Sequence, residues 1–139
     1  MNMTYQLEEP FFEEKGKITN QKEIGGNRMQ VTFSSNGVMK RNIEVTNTGD
    51  FVSVSKGNKE TTSAQGQGIV TTKDGNEKAS YTFLAVGKPP EEGKPVLRGS
   101  AVWSTNSTGK LAFLDNMISF FIVELDETGN FSSKERELK

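Results

Sequence analysis

Residues 77–104 read EKASYTFLAVGKPPEEGKPVLRGSAVWS, and the alternation on either side of the Pro-rich middle decides the fold class. Ala79, Tyr81, Phe83 and Ala85 share one face of an extended chain, while Lys78, Ser80 and Thr82 occupy the other before Leu84 and Val86. Leu97, Gly99, Ala101 and Trp103 stand in the same way against Arg98, Ser100 and Ser104. A period of two describes a strand with one side on a core and one side in water. Between the two strands, Lys88 to Pro95 holds Pro89, Pro90, Glu91, Glu92 and Gly93 and reads as a rim loop.

The same alternation spreads outward. Met29, Val31 and Phe33 oppose Arg28, Gln30 and Thr32, and Ile43 and Val45 oppose Asn42, Glu44 and Thr46. Turn signals separate the segments at Gly25-Gly26-Asn27, Asn36-Gly37, Thr48-Gly49-Asp50, Lys56-Gly57-Asn58, Asp74-Gly75-Asn76 and Thr128-Gly129-Asn130. Asn36-Gly37 and Asp74-Gly75 carry the strongest hairpin signature, because a type I′ turn needs positive φ at both central residues. Eight strands are expected, over 15–24, 28–34, 38–46, 50–55, 62–72, 77–87, 96–104 and 117–127, with a candidate ninth at 131–137. Thr108 to Asn116 holds the best helical turn, with Ser and Thr hydroxyls nearby as caps. The tail from Ser132 to Lys139 is charged and is expected to fray beyond residue 135.

Sequential hairpins favour an all-β fold: a single eight-stranded antiparallel up-and-down barrel spanning residues 1–139, with a β-sandwich as the alternative. A chain of 139 residues lies inside the usual range of about 100 to 200 for one domain. Ile, Val, Leu and Phe number 6, 10, 7 and 9, a lean core that suits a barrel, where only alternate positions face inward.

Composition removes whole classes of chemistry. With no His and no Cys there is no Ser–His or Cys–His pair, no thiolate redox site and no Cys/His zinc site, so neither metal nor cofactor is expected. A net charge of −1, with no basic run longer than Lys40-Arg41, argues against nucleic acid. Met117 to Leu125 is the densest apolar run, interrupted by Ser119 and Glu124 and far short of the about 20 residues of a membrane helix. A cytoplasmic protein with no membrane partner is the expectation.

Several motifs read as architecture. Gly66-Gln67-Gly68 lacks the third glycine and the helix of a dinucleotide site, and fits a bend in a barrel strand. The pairs Glu8-Glu9, Glu13-Glu14 and Glu91-Glu92 point their carboxylates apart in an extended chain and read as solvated surface. The aromatic set Tyr81, Phe83, Trp103, Phe120 and Phe121 either packs the core or lines an apolar pocket, and Tyr81, Phe83, Trp103 and Phe121 are the candidate ligand contacts. Arg98 and Glu124 are the candidate charged contacts; each stands within a strand, and each either forms a surface or rim ion pair or turns into a cavity. Met117 to Leu125 is apolar on both faces, which suggests a second layer or a subunit interface.

Arg98-Gly99-Ser100, followed by Thr105-Asn106-Ser107-Thr108-Gly109-Lys110-Leu111-Ala112-Phe113-Leu114 and an apolar strand, resembles the G…GTG-x-L/F-A element of allene oxide cyclase-like barrel proteins. The resemblance spans residues 66 to 127. It implies an eight-stranded antiparallel barrel with a central cavity, frequently oligomeric, in a group of plant cyclases and many members of unknown function. The cyclase active-site residues match no position here, so the resemblance carries the fold alone. The expected function is binding of a small apolar or amphipathic ligand in the barrel interior. Two alternatives stand beside it: an isomerase or cyclase on a lipid-like substrate with Glu124 assisting, and a structural homo-oligomeric module built on Met117 to Leu125.

Overall fold

The structure is a computed structural model that describes residues 9–56, 61–88 and 95–139. Eight strands run in chain order: β1 (Phe12–Gly25), β2 (Arg28–Met39), β3 (Ile43–Ser55), β4 (Thr62–Thr72), β5 (Lys78–Lys88), β6 (Val96–Ser104), β7 (Ile118–Leu125) and β8 (Asn130–Glu137). Each pairs antiparallel with the next, and β8 pairs back onto β1, giving a closed barrel rather than a sandwich. Among the described residues the only helical pieces are two 3₁₀ turns, Lys40–Asn42 and Ala112–Leu114, and no helix is long and apolar enough to cross a membrane.

The expected number of strands is right although two expected turns are not turns. Asn36-Gly37 lies inside β2, where Gly37 pairs with Glu14 on one side and Val45 on the other. Thr48-Gly49-Asp50 lies inside β3, opposite Ile69, Gly68 and Gln67. The real reversal is at Lys40–Asn42, where Arg41 (φ 66°) and Asn42 (φ 60°) take the left-handed conformation without a glycine. The segment expected as a ninth strand is β8, and it closes the barrel instead of fraying. The turns at Gly25-Gly26-Asn27, Asp74-Gly75 and Thr128-Gly129 stand where expected, with positive φ at Gly25, Gly26, Asn27, Gly75 and Gly129. The Lys56-Gly57-Asn58 turn and the Pro89–Lys94 loop lie partly or wholly outside the described residues.

The glycines inside the strands serve close packing, because backbone and side chains in a small barrel approach too closely for a Cβ. At Gly37 a methyl group would press on the Phe12 ring and the Glu13 carbonyl. At Gly68 it would overlap the Tyr81 phenol, which lies across that part of β4. Gly66-Gln67-Gly68 is therefore strand, as the sequence leads one to expect, and its glycines make room for the inward aromatics.

One end of the barrel is plugged. The connection between β6 and β7 folds Leu111, Leu114 and Met117 beneath the inward side chains of Phe11, Phe12, Met39, Val70 and Trp103, all buried. Phe113 packs edge-on to Phe11 and is capped by the Lys40 ammonium 4.3 Å from its ring centroid. The Glu77 carboxylate pins this connection: it accepts the Ser107 hydroxyl and the backbone N–H groups of Lys110 (3.0 Å) and Leu111 (3.1 Å). The 3₁₀ turn Ala112–Leu114 thus falls within the expected Thr108–Asn116 segment without a Ser or Thr cap, and a carboxylate from the β4–β5 connection holds the two amide groups just before it.

Replacing Gly68 by Ala drives a Cβ into the Tyr81 phenol. We expect Gly68→Ala to destabilise the fold by about 1–3 kcal/mol, the usual cost of overpacking, measured by urea unfolding against the parent chain; unchanged stability would show that Tyr81 repacks freely.

Candidate functional site

Period-two alternation along the strands aims Glu14 (β1), Ser35 (β2), Asn47 (β3), Tyr81 (β5), Trp103 (β6), Ser119 (β7), and Ser133 and Glu135 (β8) into the barrel, and all eight are buried. Together they form a polar layer above the apolar plug. Glu14 Oε1 accepts the Ser35 hydroxyl and the Asn47 amide (2.9 Å), and Asn47 Oδ1 in turn accepts the Tyr81 hydroxyl (2.8 Å). Glu135 Oε2 accepts the Ser119 hydroxyl and the Trp103 indole N–H (3.1 Å), and the same N–H also reaches Ser119 Oγ at 2.9 Å. Tyr81 and Trp103 lie with ring centroids 4.7 Å apart and tie the two halves together.

The two carboxyls are neighbours through strand register. Glu14 pairs with Ser133, and Phe12 pairs with Glu135, so Glu14 and Glu135 are diagonal neighbours on adjacent strands of one face. Both are short of hydrogen bonds: among the described residues Glu14 Oε2 and Glu135 Oε1 accept none, and the Ser133 hydroxyl, in a residue only 6% exposed, has no partner. Among the described residues no polar side-chain atom sealed from solvent lacks a partner, so these three groups open onto the space above them.

That space is a cavity of about 80 Å³. Its floor is Glu14, Asn47, Tyr81, Ser133 and Glu135; its walls are Phe33, Phe51, Phe83, Phe121 and Phe131 with Ile18, Ala64, Ala85, Leu97, Val123 and Leu125. The rings form a chain of edge-on or tilted contacts around the wall, Phe131 to Phe33 to Phe51 to Phe83 to Phe121, with centroids 5.7–6.1 Å apart. Phe33, Phe51, Phe83, Leu97, Val123, Leu125 and Phe131 are only half-buried, which makes this the open end of the barrel. Among the described residues no Lys or Arg lines the cavity.

Enclosure governs the ionisation of the floor. Burial pushes the Glu135 carboxyl up to about 8; the nearby Glu14 charge acts in the same direction, while the hydrogen bonds from Ser119 and Trp103 only partly offset it. Glu14 is also raised, by burial first, with the Ser35 and Asn47 hydrogen bonds opposing. The Tyr81 phenol is pushed well above its ordinary value by burial and by the adjacent Glu14, and so stays a hydrogen-bond donor at neutral pH.

The sequence-derived contacts divide accordingly. Tyr81, Phe83 and Phe121 line the cavity. Trp103 is 1% exposed and lies below it, reaching the floor only through its indole N–H. Arg98 and Glu124 are exposed on the outer face, opposite Ile122 and Val96, away from the cavity, because the alternation that sends Leu97, Gly99, Val123 and Leu125 inward sends them out. Neither forms an ion pair among the described residues, where Lys73–Glu44 is the one pair present. The two charges that do turn inward stand in stretches that read as solvated surface and as tail. Glu13 and Glu14 point apart as expected, but only Glu13 points to water. Phe12-x-Glu14-x-Gly16-x-Ile18 and Phe131-x-Ser133-x-Glu135 carry the alternation that places both acids on an inward face.

The chain matches no family model and no curated protein. Its architecture is shared with solved structures. A protein of unknown function from Clostridium acetobutylicum aligns with a TM-score of 0.76 at 14% identity, over 96% of this chain and 99% of its own. A conserved protein of unknown function from Rhodopseudomonas palustris aligns at 0.73 and 15% identity, over 98% and 100%. A β-barrel-like protein from Acinetobacter baumannii aligns at 0.78 and 12% identity, over 96% of each chain. The class is thus that of small closed antiparallel β-barrels. At such identities the likeness establishes the fold, and none of these neighbours bears the cyclase name.

A carboxyl whose folded value lies above its unfolded value of about 4.5 binds its proton more tightly in the native state, so stability falls as pH rises between those two values. We expect thermal stability to decline from pH 5 to pH 8, with a slope no steeper than about 1.4 kcal/mol per pH unit for this group, and Glu135→Gln to flatten the decline. Asp74, Glu77 and Asp126, held below their ordinary values by hydrogen bonds, act only at more acidic pH and do not confuse the reading. Melting curves followed by circular dichroism at several pH values measure it; an equally steep decline in Glu135→Gln would place the titrating group elsewhere.

Proposed function

We propose that this barrel binds a small amphipathic molecule through its open end, with the apolar part among the phenylalanine rings and the polar part on the floor. The observation that carries the reading is the Ser133 hydroxyl and the two free carboxyl oxygens opening into a cavity whose walls are otherwise apolar. Sites for small organic molecules have this make-up, apolar walls with a few placed polar groups. Tyr81, Phe83 and Phe121 are the contacts that the sequence reading and the cavity share. A catalytic role as isomerase or cyclase loses its motive, because Glu124, the carboxylate expected to assist, faces outward.

Ala85 is a small inward residue on the cavity wall, 5% exposed. With 2-phenylethanol at a hundred times its dissociation constant, the melting temperature should rise by the equivalent of about 2.7 kcal/mol. In Ala85→Phe, whose ring fills the cavity, the rise should vanish. A panel of small aryl and alkyl amphiphiles, neutral and charged, that leaves the parent chain's melting temperature unmoved would refute the reading.

Oligomer formation has its own support. Leu84 (60% exposed), Val86, Val102, Ile118 and Ile122 project from the outer face of β5, β6 and β7 with Phe120 beside them, an apolar patch on the outside of the barrel that Ser100 and Arg98 of β6 interrupt. We propose that a second copy of the chain covers it. Light scattering at micromolar concentration should give a dimer mass that Val102→Lys with Ile122→Lys reduces to a monomer; a monomer in the parent chain would remove this reading.

A further inference from the structure

The polar floor is acidic and, among the described residues, contains no cation. Three groups there have unused hydrogen-bonding capacity: Glu14 Oε2, Glu135 Oε1 and the Ser133 hydroxyl. Ser133 matters because it is independent of the acids: a hydroxyl in a residue 6% exposed, with no partner among the described residues, is a contact waiting for a ligand. The other polar groups of the layer, those of Ser35, Asn47, Tyr81, Ser119 and Trp103, are already engaged with one another or with the two carboxyls.

Charge decides the chemistry of the missing partner. The titratable groups facing Glu14 and Glu135 inside the barrel are each other and Tyr81. The charged side chains beside them along the same strands turn outward: Glu13 and Lys15 on β1 and Lys134 on β8 are exposed, and Arg136 on β8 is half-buried on the outer face opposite Phe120. A carboxylate ligand would crowd a third acid into a space with no cation to balance it. A cation would supply what the floor lacks. The walls agree, since five phenylalanine rings surround the approach and the face of an aromatic ring attracts an ammonium group.

We propose that the ligand is an organic amine, bound as its ammonium ion, with N–H groups donated to Glu14, Glu135 and Ser133 and a short aryl or alkyl body held by Phe33, Phe51, Phe83, Phe121 and Phe131. This rests on the ligand-binding reading above and specifies the head group. A cavity of about 80 Å³ sets a small scale for the buried part of the molecule, with the remainder extending between the rings to the open end. Where the ammonium meets a protonated carboxyl, the proton passes to bulk water and an ammonium–carboxylate pair remains. Binding therefore releases protons below the range in which the floor ionises by itself, and tightens as pH rises until the amine loses its own charge.

Three probes of nearly one shape separate the outcomes: 2-phenylethylamine, 2-phenylethanol and phenylacetate, titrated into the full chain. The readouts are isothermal calorimetry, run in two buffers of different ionisation enthalpy, and the emission of Trp103, the single tryptophan, whose N–H lies on Glu135. The amine should bind about ten-fold or more tighter than the alcohol, the difference between a charge-assisted and a neutral hydrogen bond. It should release protons at pH 7 and tighten from pH 6 to pH 8, and phenylacetate should bind weakest. Glu14→Gln and Glu135→Gln, which keep the shape of the floor, should bring the amine down to the level of the alcohol while alcohol binding persists. Equal affinity for amine and alcohol, or preference for phenylacetate, would overturn the amine assignment and leave the ligand site standing. Failure of all three probes would overturn both.

Discussion

Everything in this molecule depends on the pairing of β1 with β8. Hydrogen bonding from Phe12 to Lys17 against Asn130 to Glu135 removes the two edges that an eight-stranded meander would otherwise expose. It also brings residues from the two ends of the chain into one face, so that Glu14 and Glu135 become diagonal neighbours. A chain of the same composition left as an open sheet would hold both acids in water. Closure takes them out of it, and the hydrogen bonds from Ser35, Asn47, Ser119 and Trp103 are the response of the remaining strands to that burial.

The interior is consequently layered. Apolar side chains fill the plugged end, a hydrogen-bonded polar layer crosses the middle, and an aromatic collar surrounds the open end. Partial satisfaction of the middle layer is informative, because a fully satisfied network would be structural cement and a wholly unsatisfied one would not fold. Here each carboxyl is anchored through one oxygen and leaves the other toward the cavity.

The architecture was legible in the alternation of Ala79 to Ala85 and of Leu97 to Trp103, which needs no knowledge of partners. Turn chemistry was less reliable. Asn36-Gly37 and Asp74-Gly75 carry equally strong hairpin signatures and only the second is a turn; Gly37 is used for close packing against Phe12, and the true turn at Lys40–Asn42 lacks glycine altogether. Local propensity gave way to barrel geometry there. The site was half legible. Tyr81, Phe83 and Phe121 stand in long apolar alternations, whereas Glu14 and Glu135 sit in charged stretches whose inward face is set by strands far away in the chain. Arg98 and Glu124 show the converse: each flanks inward residues, and one step along a strand moves a side chain from the cavity to the outside.

The plug beneath Trp103 has a kinetic side. Leu111, Leu114 and Met117 seal one end and Glu77 pins the connection that carries them, so the interior has a single doorway among the described residues. A ligand bound as proposed would leave by the open end through which it entered, between Phe33, Phe51 and Phe131, in reverse order and tail first. Its arrival and departure would then share one gate of aromatic rings, and its residence time would follow from how readily those rings part.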